Sequence, residues 1–89
     1  MNNFYTFKYN RKPTAEQVIE FIISRNYITK IQLQKSLSIG MNTTAYIWDL
    51  LVDGNIISNH KKALVLSKDQ KTILNALKSL ETDGGIYIS

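Results

Sequence analysis

Ile39-Gly40-Met41-Asn42-Thr43-Thr44-Ala45-Tyr46-Ile47-Trp48-Asp49-Leu50-Leu51-Val52-Asp53-Gly54-Asn55-Ile56-Ile57 reads as a turn, a helix and the start of a strand. Gly40 permits a tight turn, the Asn42 side chain can accept from the first unpaired amides of a helix, and Ala45 to Val52 supplies the apolar run that fills it. Asp53-Gly54-Asn55 then stops it. A step of about 100° per residue gathers Met41, Ala45, Trp48 and Val52, flanked by Thr44 and Leu51, on the face expected to meet the core. Asn42, Tyr46, Asp49 and Asp53 remain on a narrow outer face.

Working outward, Thr29 to Leu37 is a shorter helical stretch in which Thr29 and Gln32 have the spacing of a capping box and Ile31, Leu33 and Leu37 can pack inward. Ser38-Ile39-Gly40 joins it to the longer helix. Downstream, Ile56-Ile57-Ser58, the polar tip Asn59-His60-Lys61-Lys62 and Ala63-Leu64-Val65-Leu66-Ser67 form a predicted two-stranded hairpin. Short helix, turn, longer helix and hairpin is the layout of a helix-turn-helix with a wing. Thr14 and Gln17 start an earlier helix expected to run to about Arg25, with Val18, Ile19, Phe21, Ile22 and Ile23 as its apolar face, and Asn26-Tyr27-Ile28 reads as a plain connection. Ser67 and Gln70 mark a last helix over Lys68 to Leu80, with Ile73, Leu74, Leu77 and Leu80 as its stripe. Phe4 to Tyr9 suits a strand, and Ile86-Tyr87-Ile88 suits another beside it. The expected fold is therefore an α/β (α+β) winged helix-turn-helix: three helices and a two-stranded wing, with an N-terminal strand and an extra C-terminal helix. Residues 1–12 form the arm, 13–67 the winged helix and 68–89 the C-terminal helix and strand of one domain.

The 89 residues include 44% apolar side chains, enough for a core, and no cysteine, which removes disulfides, thiol nucleophiles and cysteine-held zinc together. No apolar run reaches the roughly 20 residues of a membrane span, and Met1 to Tyr5 lacks the pattern of a signal peptide, so a cytoplasmic location is expected. Glu16 and Glu20 share one side of a helix, but no third acid or histidine completes a site, and His60, the sole histidine, stands in a polar turn. No catalytic triad or phosphate-cradling glycine loop is present, and no enzyme activity, metal or cofactor is expected.

Eleven Lys and Arg against seven Asp and Glu give a net charge of +4, and the charge is segregated. Lys8, Arg11 and Lys12 make the first twelve residues basic, where four of the nine aromatics also lie. Alternation puts Tyr5, Phe7 and Tyr9 on one side, so that rings can stack on bases while cations follow phosphates; the same rings can equally cover the core. Lys61 and Lys62 sit at the hairpin tip and Lys30 at the start of the second helix, each suited to phosphate. The central helix offers no Lys or Arg from Met41 to Asn55, only Asn42, Thr43 and Thr44 to hydrogen-bond and Tyr46 to stack, which argues against conventional major-groove reading.

Ile39-Gly40-Met41-Asn42, Ala45, Ile47, Asp49, Leu51 and Ile56-Ile57 resemble the winged-helix gamma domain of FtsK-type DNA translocases, over about Thr14 to Leu66. Thr43 and Tyr46 stand where that family carries the arginines that read duplex DNA. With Phe4 to Lys12 and the central stretch, the whole chain also resembles the small winged-helix single-strand DNA-binding proteins of staphylococcal cassette chromosome elements. That second resemblance implies a role in replication or transfer of a mobile element. The reading is a non-enzymatic DNA-binding protein that prefers single strands. One alternative is a sequence-specific duplex binder or small repressor, with Asn42, Thr43 and Thr44 facing bases. Another is a protein-interaction or dimerisation module, in which Ile47 and Leu50, outside the core sector, meet a second copy or a replication protein.

Overall fold

Two local hydrogen-bond exchanges set the first two helices. The computed structural model describes residues 13–78. Thr14 Oγ1 accepts from Gln17 N at 3.2 Å while Gln17 Oε1 accepts from Thr14 N at 3.0 Å, and α1 runs Ala15–Ile23 from that box. Thr29 and Gln32 repeat the exchange at 3.2 and 3.1 Å to open α2, Lys30–Leu37. α3 spans Met41–Asp53 and α4 spans Gln70–Ala76. Tyr27–Ile28 is a short strand, β1, paired antiparallel with β2, Ala63–Leu64, in the register Tyr27 to Leu64 and Ile28 to Ala63. The described residues form a mixed α+β domain of four helices and one two-stranded antiparallel sheet.

The sheet corrects the expectation for Tyr27-Ile28, which is not a plain connection but the partner of the segment after the basic tip. The expected hairpin is present only as an Ile57 to Val65 antiparallel bridge with Ser58 N to Leu64 O at 3.0 Å and Leu66 N to Ile56 O at 2.8 Å. The 63–66 segment thus lies between two neighbours, and Val65 N also bonds Asn26 O at 2.8 Å. A strand two residues long carries no readable period, so only its distant partner identifies it.

Two cap and turn assignments change, at the starts of α3 and α4, while α3 stops at Asp53-Gly54-Asn55 as expected. Ser38, not Gly40, takes the left-handed conformation between α2 and α3, at φ 54°. Gly40 is extended and caps α3 through its backbone: its carbonyl accepts from Thr44 N at 3.0 Å and Thr44 Oγ1 at 2.8 Å, while Asn42 lies inside the first turn and caps nothing. At the other end Asn55 carries the positive φ of 59°, whereas Gly54 at φ −85° serves close approach, since a Cβ there would stand 2.6 Å from Ala76 Cβ. α4 is capped by Asp69, whose carboxylate accepts from Thr72 N at 3.0 Å and Thr72 Oγ1 at 2.6 Å; the expected Ser67–Gln70 box is not used.

The core is built from Val18, Ile22, Ile28, Leu33, Ile39, Ile47, Leu51, Ile56, Ile57, Ile73 and Leu77, all buried, and each such aliphatic side chain contributes roughly 1.5–3 kcal/mol relative to exposure. α4 packs on both α1 and α3, so Ile73 and Leu77 belong to the same core as the helices before them. Trp48 is buried as expected, at 4% exposure. The core face of α3 is nonetheless turned from its expected phase: Thr43, Thr44, Ile47, Trp48 and Leu51 point inward, Met41 is 76% exposed, and Ala45 and Val52 are half-buried. Ile31 is likewise outside, at 63% exposure, where inward packing was expected, and Leu74 is exposed. No helix among the described residues is long and apolar enough to cross a membrane.

Candidate nucleic-acid interface

Strand register brings distant cations together. β1 runs straight into the start of α2 and β2 follows the 59–62 turn, so the Ile28 to Ala63 pair sets these two segments side by side. The start of α2 therefore stands beside the 59–62 turn, and between them opens a cleft of about 660 Å³ lined by Thr29, Lys30, Ile31, Trp48, Asn59, His60 and Lys61. None of these residues is acidic. Exposed Ile31 and the rim of Trp48 supply its apolar wall, and Lys30 Nζ lies over the Trp48 ring at 5.9 Å from its centroid, near the outer limit of a cation–π contact.

Ser58 shapes the far side. Its Oγ accepts from Leu64 N at 2.8 Å and lies 3.1 Å from His60 Nδ1, tying the turn to β2 and fixing one side of the imidazole. Lys62 Nζ sits 5.2 Å from the centroid of Tyr27, itself exposed on the outer face of the sheet opposite Leu64. Two other cations have structural partners: Arg25 lies over Phe21 at 4.1 Å and donates to Phe21 O at 3.0 Å, and Lys68 donates to Asn26 Oδ1 at 3.0 Å.

Of the anticipated contact residues, the fold brings Lys30 and Lys61 to the cleft, while Lys62, next to Lys61 in the chain, lies over Tyr27. It does not expose Thr43 and Thr44, at 3% and 2%: both face the core, and the Thr44 hydroxyl is spent on Gly40, so their expected base-facing position is corrected. Tyr46 is half-buried and packs against the core, which corrects its placement on an open face. Asn42, Asp49 and Asp53 are exposed on α3. Ile47 is fully buried and Leu50 half-buried against the core, so the surface imagined for a protein partner is not formed by them. Tyr5, Phe7, Lys8, Tyr9, Arg11 and Lys12, with the strands proposed for the two ends of the chain, lie outside the described residues.

Thr29, Ile31, Trp48, Asn59 and His60 were not anticipated as parts of one surface. The available signal was Tyr27-Ile28, an aromatic followed by a β-branched residue between two helices, which marks a strand and hence brings the next residues to the hairpin tip. Among the described residues no three of His, Cys, Asp and Glu are grouped so as to hold a metal ion. No family model, curated protein or solved structure matches this chain.

Proposed function

We propose that this chain is a non-enzymatic winged-helix protein that binds DNA and prefers single strands. The observation that carries the reading is the acid-free cleft, which Lys30 and Lys61 line together with His60. Like charges drawn together repel, and a phosphate placed between them reverses the sign of that interaction. Helix, turn, helix and paired strands in this order support the winged-helix assignment, with the 56–66 region as the wing. Asp49 and Asp53 disfavour laying α3 along a duplex groove, whereas an apolar wall between cations suits a strand whose bases are unstacked. Action in the cytoplasm, in replication or transfer of a mobile element, rests on the cysteine-free composition and on the resemblances of the central stretch and basic arm.

The test is a salt titration of affinity for single-stranded DNA with Lys30→Ala, Lys61→Ala and their double variant. Each lost phosphate contact lowers the salt slope by about 0.7, and Lys71→Ala on α4 leaves it unchanged. Wild-type slopes in the double variant defeat the assignment of this surface.

A further inference from the structure

We infer that the cleft takes one unstacked nucleotide of a bound strand, its base against Ile31 and the accessible rim of Trp48 and its phosphate between Lys30 and Lys61. The inference rests on the DNA-binding reading and adds to it a discrete base pocket, where a charged surface would need none. At about 660 Å³ the cleft falls within the roughly 300–1,000 Å³ of sites that enclose small ligands, so it is larger than phosphate alone requires. Its lining is also divided in the way a nucleotide is. Lys30, Lys61 and His60 offer positive charge or donors to a phosphate; Ile31 offers an aliphatic surface to a base face; and the Asn59 amide, with one acceptor and two donors, can meet a base edge.

Ile31 carries the argument because its exposure has no role in the core. A β-branched aliphatic side chain at 63% exposure, one residue after a lysine and at the mouth of a cleft, loses hydration favourably when a base covers it. Lys30 is held over the indole only by a contact at 5.9 Å, so its ammonium can turn to a phosphate at small cost. Trp48 is the sole tryptophan of the chain and lines the cleft, which makes its emission a reporter of occupancy.

The experiment uses the full chain, a labelled twelve-residue oligothymidylate and an abasic strand of equal length, with affinity from anisotropy and occupancy from Trp48 emission. Wild type is expected to bind the thymidylate strand about tenfold more tightly than the abasic one and to change its Trp48 emission on saturation. Ile31→Ser is expected to weaken thymidylate binding about fivefold, to leave abasic binding unchanged, and to melt like wild type because Ile31 is not in the core. An Ile31→Ser variant with wild-type thymidylate affinity, or a wild-type Trp48 emission unmoved at saturation, overturns the nucleotide pocket while leaving DNA binding in place. Absence of binding to every strand at low salt overturns the pocket and the DNA reading together.

Discussion

The outer face of α3 and the cleft beside α2 are the two surfaces that compete for the proposed nucleic-acid contact, and they differ in charge and in shape. The α3 face presents Met41, Asn42, Asp49 and Asp53 on a convex helix with no cation. The cleft presents Lys30, His60 and Lys61 around an apolar wall, with no acid in its lining. Under the proposed function, the contacts fall to the cleft and not to the outer face of α3. Here α3 contributes Trp48 to the wall of the cleft, while the charge comes from elements on either side of it.

The largest effect that can break this comparison is expected from Trp48, which belongs to both the core and the cleft. Trp48→Ala should cost roughly 3–5 kcal/mol in chemical denaturation, because a buried aromatic leaves a cavity that its neighbours only partly fill. A loss below about 1 kcal/mol, or water-like emission from the native indole, would mean that the wall is not packed as described.

Gly54→Ala comes next. The new methyl would meet Ala76 Cβ and the Leu50 carbonyl, so the end of α3 must shift against α4, at a cost of about 1–3 kcal/mol. The variant tests how tightly the end of α3 closes on α4. Adding Ala76→Gly removes the closest contact and should recover part of the loss in thermal melting. An unchanged melting temperature in Gly54→Ala would remove the junction from the account.

A smaller effect compares the two faces directly. With the strand in the cleft, the double variant Asp49→Asn, Asp53→Asn should alter single-strand affinity by less than about threefold at 0.15 M salt, where exposed charges are screened over about 8 Å. A tenfold gain would place phosphates along α3 instead, reversing the comparison.

Much of the chain's local structure is legible in the sequence, for a physical reason. Capping boxes join residues three apart, so Thr14–Gln17 and Thr29–Gln32 are visible without knowing the fold, and an indole within an apolar helical run has few places to go but inward. The rotation of α3 was less legible because its apolar residues spread around much of the helix, and Thr43 and Thr44 could be buried once Gly40 accepted the Thr44 hydroxyl. Met41 and Ile31 are apolar by type yet exposed, which no periodic stripe predicts. The cleft was illegible for another reason. It depends on the pairing of Tyr27-Ile28 with Ala63-Leu64, a contact across more than thirty residues between strands too short to show a period.

The smallest expected effect lies at α4, away from both surfaces. Hydrogen bonds from the Thr72 hydroxyl and then from its backbone amide hold the Asp69 carboxyl below its usual range. Folding therefore gains from ionised Asp69 above the unfolded value of about 3.9, and that gain fades as pH falls through this value toward the lowered folded one. Asp69→Asn keeps an N-cap acceptor but cannot titrate, so its melting temperature should fall less than that of wild type between pH 6 and pH 3. Parallel acid profiles would show that the cap contributes nothing pH-dependent.

The most direct test of the central claim is the affinity of the full chain for one sequence as a single strand and as a duplex, measured at matched salt concentrations from 50 to 200 mM. Binding through the cleft predicts tighter association with the single strand at every concentration, because only unstacked bases can enter it, with affinity falling as salt rises. Equal or tighter binding to the duplex, or binding indifferent to salt, would contradict it.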